Sequence, residues 1–506
     1  MAIGHFMSTV RHDLEESTRA SRRRCRWRWS WLGVVWVVAI APAVRAEPPG
    51  LPAPAEVLEK MVAVARWQEA HPSHWPALDW THAPYYLGLL ATARVTGDEQ
   101  WTEAVRKIGR LHGWQLGPRP FMADDHAVGQ AWLAIYQIDR LPEQRVLVEA
   151  GIKAFVQRPV EASLEWKDKI YEREWAWCDA LFMSPQVLAA MTTVSGDSVW
   201  LERMDERFWP TRDYLFDTRE NLFLRDGSYF NKREANGARV FWSRGNGWVL
   251  AGLVHILQQM PAGHPTRPQY VDLFRRLANR LLELQQPDGS WHASLLDPAS
   301  YPAPESSGTA FFCYGLLWGV NQNMLERGAA LPAALRAWHK LASQVGPDGR
   351  LGFVQPCGVS PRQVTAEMTE VYGSGGLLLA GSELHHLLLL DGGRRADFQV
   401  RNPSRRNRLG EVVSLPWVEL TRLLPAAVAA RLAVRDGQTG QFVASQTLDD
   451  DADGTPDRLL FQATVLPGQT RDYALVETLR AEVPKPPAPL RCATDPQPLI
   501  LQTRPH

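Results

Sequence analysis

The sequence Val-Ser-Gly-Asp-Ser-Val-Trp at residues 194–200 decides the fold that we predict for this 506-residue chain. A close copy, Val-Thr-Gly-Asp-Glu-Gln-Trp, occupies residues 95–101. In each copy the glycine can end one helix in a left-handed conformation, the aspartate can cap the next helix, and the tryptophan can pack back on the joint. A joint of this kind connects two antiparallel helices. The sequence therefore predicts helical hairpins.

A second repeated element extends this prediction over most of the chain. Asp-Gly pairs begin at residues 226, 288 and 348, so the intervals are 62 residues (226 to 288) and 60 residues (288 to 348). Each interval is long enough for two helices and their connections. Apolar residues recur at helical spacing between these turns. We predict a mainly α domain over residues 47–391, in which about six hairpins close into a ring.

The pattern changes after residue 391. Short apolar runs at residues 412–415, 431–434 and 459–465 alternate with turn signals at Asp436-Gly437 and Pro467-Gly468. This spacing is typical of β-strands. We predict a small β-sandwich over residues 396–478 and an irregular, proline-rich tail over residues 479–506.

Composition excludes several classes of protein. The formal net charge is +0, with 22% charged and 45% apolar residues. A globular chain without a basic field is not expected to bind nucleic acid or an acidic membrane surface. An anionic substrate would have to be held by a few placed residues.

The first 46 residues have the pattern of a secretory signal peptide. A basic segment at residues 21–28 precedes an apolar run at residues 31–44 and the small-residue sequence Ala-Val-Arg-Ala at residues 43–46. We predict export to the periplasm or the extracellular space, with no stable membrane span in the mature protein; a retained anchor is the alternative. The cysteine spacing predicts neither a zinc site nor an essential disulfide set.

The candidate catalytic acid lies in the stretch Glu-Trp-Ala-Trp-Cys-Asp-Ala-Leu-Phe-Met-Ser-Pro at residues 174–185. Asp179 is set among tryptophans at the start of an apolar helical run. Burial beside indole rings raises the pKa of a carboxyl group, as a proton donor near neutral pH requires. The alternative is a carboxylate that only stabilises a helix start.

Three other polar and aromatic stretches also stand at predicted helix starts, at residues 122–130, 241–248 and 304–310. A ring of hairpins would bring such starts together at one end. Capping is the alternative role for their aspartate and serine residues. The candidate substrate-binding residues from these stretches and from residues 174–185 are Asp125, His126, Trp177, Trp242, Arg244, Asn246, Trp248, Ser306 and Ser307. Among them, Arg244 offers a forked cation for a carboxylate and Trp248 offers a face for a sugar ring.

Four motifs in order give the chain a resemblance to a known family. Ala-Asp-Asp-His-Ala-Val-Gly-Gln at 123–130, Trp-Cys-Asp-Ala-Leu-Phe-Met at 177–183, Trp-Ser-Arg-Gly-Asn-Gly-Trp at 242–248 and Glu-Ser-Ser-Gly-Thr-Ala at 305–310 resemble glycoside hydrolase family 105. Its members are unsaturated rhamnogalacturonyl hydrolases, relatives of the unsaturated glucuronyl hydrolases of family 88. The resemblance covers roughly residues 55–390 and implies an (α/α)6 barrel.

The resemblance also implies an activity, namely removal of a 4,5-unsaturated uronic acid from the non-reducing end of lyase-generated oligosaccharides, as in rhamnogalacturonan and pectin degradation. Asp179 matches the general acid/base of the family, and Asp124 matches a second essential carboxylate. The implied chemistry is hydration of a vinyl ether. Two alternatives are an ordinary inverting (α/α)6 glycosidase that uses Asp124 and Asp179, and a non-catalytic barrel that binds oligosaccharides.

The sequence departs from the family in two places. Phe-Asn-Lys-Arg at residues 230–233 stands where rhamnogalacturonan-specific members carry His-Ala-Trp-Asp, so Lys232 or Arg233 can serve an anionic or sulfated neighbouring sugar. In the β-domain, Asp449, Asp451 and Asp453 match the opening of a calcium loop, but its twelfth position is Leu460 instead of glutamate. A solvated acidic turn and a structural calcium site are the alternatives. We expect no other cofactor or metal.

Overall fold

The computed structural model describes residues 50–390, 394–451, 453–477 and 500–503. The predicted signal peptide lies outside these ranges. Helices dominate the described chain up to residue 390, and strands dominate it from residue 394 onwards. The change from helix to strand falls where the sequence pattern changes.

The helical part contains fourteen α-helices among the described residues. They are α1 (Pro54–Ala70), α2 (Ala83–Thr96), α3 (Gln100–Leu111), α4 (Ala123–His126), α5 (Gly129–Asp139), α6 (Glu143–Val156), α7 (Ala180–Met183), α8 (Pro185–Ser195), α9 (Val199–Leu215), α10 (Ser243–Gln259), α11 (Arg267–Leu284), α12 (Ser306–Asn321), α13 (Arg327–Ser343) and α14 (Val371–Leu390). Single turns of 3-10 helix occupy Trp80–His82, Ile170–Glu172, Gly227–Tyr229 and Pro298–Ser300.

The long helices form two concentric rings. α2, α5, α8, α10, α12 and α14 make the inner ring, each in contact with the next, and α14 returns to α2. The outer partners α3, α6, α9, α11 and α13 each follow their inner helix, whereas α1 packs on α14. The residues of α12 are all buried, as an inner helix requires, whereas α3 and α11 bury one face. The prediction of an (α/α)6 barrel is confirmed.

The hairpin joints have the predicted geometry. Gly97 and Gly196 are left-handed, with φ of 68° and 76°. Asp197 Oδ1 accepts from the Val199 amide at 3.0 Å, and Trp200 is buried. The left-handed residue reverses the chain, so inner and outer helices run antiparallel.

The ring closes between its first and last inner helices, which approach closely. A Cβ atom on Gly375 would lie 2.4 Å from the carbonyl carbon of Pro84, so no other residue type fits without a shift of backbone. The α1 helix completes the sixth hairpin by packing on α14. The barrel thus joins residues near its beginning to residues near its end.

The C-terminal part contains two antiparallel sheets. One sheet has the order β10-β3-β9-β5-β6 and the other the order β4-β8-β7. A short β1–β2 pair lies within the barrel sequence. The strands are β1 (Phe216–Asp217), β2 (Leu222–Phe223), β3 (Arg394–Arg401), β4 (Arg408–Pro416), β5 (Leu432–Asp436), β6 (Phe442–Val443), β7 (Ser445–Leu448), β8 (Arg458–Val465), β9 (Thr470–Glu477) and β10 (Ile500–Thr503). Helix α15 (Trp417–Leu423) and a 3-10 turn at Ala429–Arg431 also belong to this part.

The two sheets enclose a core of their own. Phe398, Phe461 and Tyr473 pack together with ring centroids 5.5 to 5.9 Å apart, and all three are buried. The predicted β-sandwich is confirmed. Part of the tail differs from the prediction, because residues 500–503 form β10 and pair antiparallel with β3. The proline-rich composition of the tail does not indicate that residues 500–503 pair with a sheet edge.

The β-sandwich packs on the barrel end at which the inner helices finish. Trp318 donates from Nε1 to Thr439 O (3.3 Å), and Asn407 donates from Nδ2 to Ser195 O (2.8 Å). The Gln441 amide donates to the buried carboxylate of Glu383 at 2.6 Å. These contacts leave the opposite end, where the inner helices begin, uncovered by the sandwich.

Two smaller findings concern the described residues as a whole. Their helices include none with both the length and the apolarity that a membrane crossing needs. Cys178, Cys313 and Cys357 are free thiols.

Candidate active site

The inner-helix starts converge at one end of the barrel, as the ring predicts. Asp124 stands before α5 and Asp179 before α8, and they lie close enough for their charges to interact. Arg244, at the start of α10, donates to the hydroxyl of Tyr372 at the start of α14 (3.1 Å). Side chains from separate hairpins therefore meet in one cleft.

Asp124 and Asp179 are the carboxylates at the centre of this cleft. Both keep partial access to solvent, although the adjacent Ala123, Cys178 and Ala180 are buried. The Cys178 thiol donates to Asp179 Oδ1 at 3.1 Å. A carboxyl that is surrounded by protein and open on one side can exchange a proton with a bound ligand.

Both carboxyl groups have elevated pKa values. Burial raises the pKa of Asp124 to about 7, and the charge of Asp179 adds to the effect. Burial also raises the pKa of Asp179, although the charge of Arg225, the Cys178 hydrogen bond and the charge of Arg244 oppose it. Two nearby carboxyls titrate as a coupled pair, which holds a transferable proton close to neutral pH.

Arg225 is a site residue that the sequence argument missed. The Cys178 amide donates to Arg225 O at 2.8 Å, which places residue 225 beside the catalytic stretch. Its guanidinium pairs with the fully buried Asp226 and lies 4.7 Å from the centroid of the Trp166 ring. The available signal is an arginine two residues after the apolar strand β2 and directly before the Asp226-Gly227 turn, a pattern that by itself predicts only a turn.

Asp125 and His126 support the rim of the cleft. Asp125 is buried and accepts from Arg119 Nε (2.9 Å) and Nη2 (2.7 Å), while much of the Arg119 side chain stays exposed. Burial lowers the pKa of His126 to about 4, so the ring is neutral. Its Nε2 lies 2.9 Å from the Pro120 carbonyl and must carry the hydrogen, which leaves Nδ1 to accept from Ser184 Oγ at 2.8 Å. Both predicted binding residues thus fix the loop around Pro120.

Arg244 has a different environment from the one expected of a carboxylate-binding residue. It is fully buried, and its guanidinium donates to the carbonyls of Gln355 and Pro356, the latter at 3.1 Å. It also lies between the rings of Trp242 and Tyr372, at 4.5 and 4.9 Å from their centroids. Through these contacts the forked guanidinium of Arg244 holds residues 355–356 against α10.

The predicted tryptophans are also enclosed. Trp248 has no exposed surface and packs against Phe311 (4.4 Å between centroids) and Phe182 (4.8 Å). The expectation that Trp248 offers a face to a sugar is therefore not met, because the position one helical turn after Arg244 points into the barrel. Trp177 and Trp242 are likewise buried, and Trp242 Nε1 donates to Gln355 Oε1 at 3.3 Å. Aromatic surface near the cleft comes instead from the partly exposed Trp75, Trp80, Trp166 and Tyr171.

Asn246, Ser306 and Ser307 bind protein groups. Asn246 Oδ1 accepts from the Phe223 amide at 2.7 Å, and its Nδ2 donates to the carbonyl of the same residue at 3.0 Å. Ser306 Oγ donates to Gly352 O (2.7 Å), and Ser307 Oγ donates to Glu305 Oε1 (2.7 Å). Glu305 caps α12 through the amides of residues 307 and 308. Residues 305–307 therefore have the alternative role considered for them, which is helix capping.

Glu370 is a further carboxylate that the sequence argument missed. It precedes α14, and it accepts from Trp75 Nε1 at 3.2 Å. Burial raises its pKa, and the charge of Arg244 is among the influences that lower it. An acidic residue immediately before a long apolar helix was the available signal, since Asp124 and Asp179 hold comparable positions.

The acidic turn of the β-domain is exposed on the surface. Carboxylate oxygens of Asp449, Asp451 and Asp453 lie within 4.8 Å of one another, and all three residues are exposed. Asp449 Oδ2 accepts from the Gly454 amide at 2.8 Å, and Asp451 Oδ1 from the Asp453 amide at 3.2 Å. Backbone amides of the loop therefore already donate hydrogen bonds to some of these carboxylate oxygens.

The chain is similar to known proteins in sequence and in structure. The profile of Glycosyl Hydrolase Family 88 matches residues 57–388, and that of a domain of unknown function, DUF4861, matches residues 400–493. An unsaturated 3S-rhamnoglycuronyl hydrolase of Alteromonas sp. (strain LOR) is 36% identical over 60% of this chain and 77% of its own length. One of the same name from Formosa agariphila is 37% identical over 65% and 90%. A solved glycosyl hydrolase family 88 structure from Bacteroides vulgatus is 27% identical, covers 67% of this chain and all of its own, and has a TM-score of 0.61.

The contacts of Arg244 lead to a prediction about stability. Arg244→Lys keeps the charge but loses the fork that holds Gln355 and Pro356, so we expect the free energy of unfolding in urea to fall by roughly 2 kcal/mol. The matched control is Arg275→Lys on the exposed face of α11, which should change stability by less than about 0.5 kcal/mol. Unchanged stability together with weakened substrate binding would show instead that Arg244 holds the ligand.

Proposed function

This chain belongs to Glycosyl Hydrolase Family 88 and is a glycoside hydrolase, and we propose that it removes a 4,5-unsaturated uronic acid from the non-reducing end of lyase-generated oligosaccharides. The observation that carries the proposal is the Asp124–Asp179 pair, partly open and with raised pKa values. The named activities of the two relatives support this activity over an ordinary inverting glycosidase and over a non-catalytic barrel.

The first chemical step is proton transfer to carbon. Asp179 in its acid form protonates C4 of the C4=C5 double bond, and positive charge develops at C5 and on the ring oxygen. An ordinary acid of low pKa would be ionised at neutral pH and could not donate. The burial that raises the pKa of Asp179 supports its assignment as this donor.

The second step adds water at C5. The Asp179 carboxylate, now ionised, accepts a proton from the water as its oxygen bonds to C5. The resulting hemiketal opens to a ketone at C5 and a hemiacetal at C1, and the hemiacetal collapses to an aldehyde as the sugar that was linked at C1 leaves with its hydroxyl. The glycosidic oxygen stays with the departing sugar, so no displacement at C1 is needed.

Asp124 and Arg225 assist these two steps. Asp124, whose pKa is about 7, can keep a proton near Asp179 and bind sugar hydroxyls. Arg225 lies near Asp179 and can attract the carboxylate of the unsaturated uronate. Its charge also stabilises ionised Asp179 after the proton has been transferred.

The sugar next to the cleaved bond is proposed to be a 3-sulfated rhamnose. Both curated relatives carry 3S-rhamnoglycuronyl in their names. In this chain the loop at residues 227–233 borders the catalytic pair, because Tyr229 lies within the electrostatic range of Arg225 and Asp179. Lys232 is exposed on this loop, with Nζ 3.6 Å from the centroid of the Tyr229 ring. A flexible cation at this rim suits a sulfate group.

Export is proposed on the signal-like sequence of residues 1–46. A protein in the periplasm or outside the cell would meet oligosaccharides where extracellular lyases release them.

Loss of ultraviolet absorbance by the conjugated enol-uronate tests the activity directly. We expect the wild type to consume this absorbance in lyase digests of ulvan, and Asp179→Asn to slow the loss by about 10²–10⁴-fold, because the amide cannot donate the proton. Digests of pectin and glycosaminoglycan complete the panel. Full activity in Asp179→Asn, with its fold verified by circular dichroism, would remove Asp179 from this role.

The electrostatics predict a pH dependence. Since the protonated acid is the active form, kcat should fall as pH rises through the pKa of the coupled pair, near 7 for Asp124. Arg225 lowers the pKa of Asp179, so Arg225→Gln should move this decline to higher pH, while Arg225→Lys should leave it near its original position. A decline at the same pH in all three proteins would exclude electrostatic control by Arg225.

With a sulfated rhamnose next to the cleaved bond, kcat/KM should depend on Lys232. We expect Lys232→Ala to lower kcat/KM on sulfated ulvan oligosaccharides by roughly 5- to 10-fold, corresponding to loss of one exposed charge contact of about 1 kcal/mol. Activity on chemically desulfated oligosaccharides should be unaffected by the substitution. Lys153→Ala on the exposed face of α6 is the control. Equal losses on both substrates would refute a sulfate contact.

A further inference from the structure

A second cavity lies away from the catalytic cleft. It measures about 730 Å³, is partly open to solvent, and is lined by the inner helices and by the β-sandwich. This volume lies within the range of small-molecule sites. Apolar walls from α2, α8 and α14 alternate with polar side chains.

A layer of aromatic rings separates the cavity from the cleft. Trp248 contacts Tyr372 of the cleft, with centroids 6.0 Å apart, and Phe182 on its other side. Phe182 in turn meets His255, which lines the cavity (5.9 Å). The rings of Phe182, Trp248 and Phe311 are fully buried. The cavity is therefore a compartment distinct from the catalytic site.

Arg94 presents an unpaired cation to this cavity. Its side chain lines the cavity and is accessible there, and within the described part of the chain its guanidinium has neither a hydrogen-bond nor an ion-pair partner. Surrounding protein lowers its pKa by desolvation, which shows how deeply it lies. The charge of Glu383 counteracts only part of this desolvation. A cation held in such a place without a hydrogen-bonded counter-charge is costly. An anion in the cavity would remove that cost.

Other buried polar groups point to the same compartment. Gln186 is 2% exposed, and neither its Oε1 nor its Nε2 has a partner. Ser382 is also 2% exposed, with an unpaired Oγ, and Gln130 has an unpaired Oε1. All three line the cavity. Since buried polar atoms are normally hydrogen-bonded, this concentration indicates that something polar occupies the space.

The other charged residues that line the cavity do not neutralise Arg94 completely. Arg471 and Asp436 neutralise each other at 2.6 Å. Burial lowers the pKa of His255 to about 3, so this ring is neutral, and burial raises the pKa of Glu383 to about 7. Glu383 already accepts from Asn321 and Gln441. Near neutral pH and below, Arg94 is therefore not fully offset.

We propose that this cavity binds a small hydroxylated organic acid of sugar size, with its carboxylate on Arg94 and its hydroxyl groups on Gln186, Gln130 and Ser382. The guanidinium fork matches a carboxylate, and amide and hydroxyl side chains match alcohol groups. The apolar walls accommodate the carbon faces of the ligand. The site is separate from the catalytic pair and does not depend on the activity proposed above.

Titration calorimetry and crystallography with D-glucuronate test this proposal. Crystals of the full-length protein soaked in D-glucuronate should show the acid in the cavity. In solution, Arg94→Met should weaken D-glucuronate binding at least 10-fold, and Gln186→Glu, which adds a repelling charge without changing shape, should do the same. Both variants should keep the kcat of the wild type, and Arg94→Met should melt no lower than the wild type because it removes a costly buried cation.

Two control ligands sharpen the test. D-glucose should not bind the cavity, since it lacks the carboxylate. Sulfate that binds more tightly than D-glucuronate would overturn the organic acid in favour of an inorganic anion. Water alone in the soaked cavity, or equal affinities in the wild type, Arg94→Met and Gln186→Glu, would refute the site. Should Arg94→Met fail to fold, Gln186→Glu and the soaked wild-type crystal still decide the question.

Discussion

The close packing of α2 against α14 is the constraint on which the rest of this structure depends. The two helices lie at opposite ends of the barrel sequence, and the backbone at Gly375 approaches Pro84 so closely that a side chain would not fit. Their contact closes the inner ring. Closure places the starts of all six inner helices around one opening, which is how Asp124, Asp179 and Glu370 come to share a cleft.

The two ends of the ring are built for different purposes. At one end, long loops bring charged and aromatic side chains to the inner-helix starts, and burial raises the pKa values of carboxyls there. At the other end, the β-sandwich covers the helix ends through Trp318, Asn407 and Gln441. Trp248, predicted to stack on a sugar, belongs instead to the aromatic layer between the two halves.

The fold was predictable from sequence because its determinants are local. Gly97 and Gly196 end helices through their own backbone conformation, and the aspartates that follow them cap through bonds two residues away. The positions of the candidate acids were also predictable, since helix starts converge in any such ring. The partners of a side chain were not. Arg244 contacts a segment more than a hundred residues distant, and the loop that carries Arg225 reaches Asp179 only through tertiary pairing with residues 177–178.

Pairing of α1 with α14 has a consequence for how the chain folds. Helix α1 contacts α2, but most of its helix contacts are with α14, whose residues 371–390 are synthesised about three hundred positions later. Until then the faces of α1 and α2 that pack on α14 remain open. Contacts of such sequence separation form slowly, because a long loop must close before they contribute. Ring closure thus depends on contacts that this topology makes slow to form, and apolar faces stay open until it is complete.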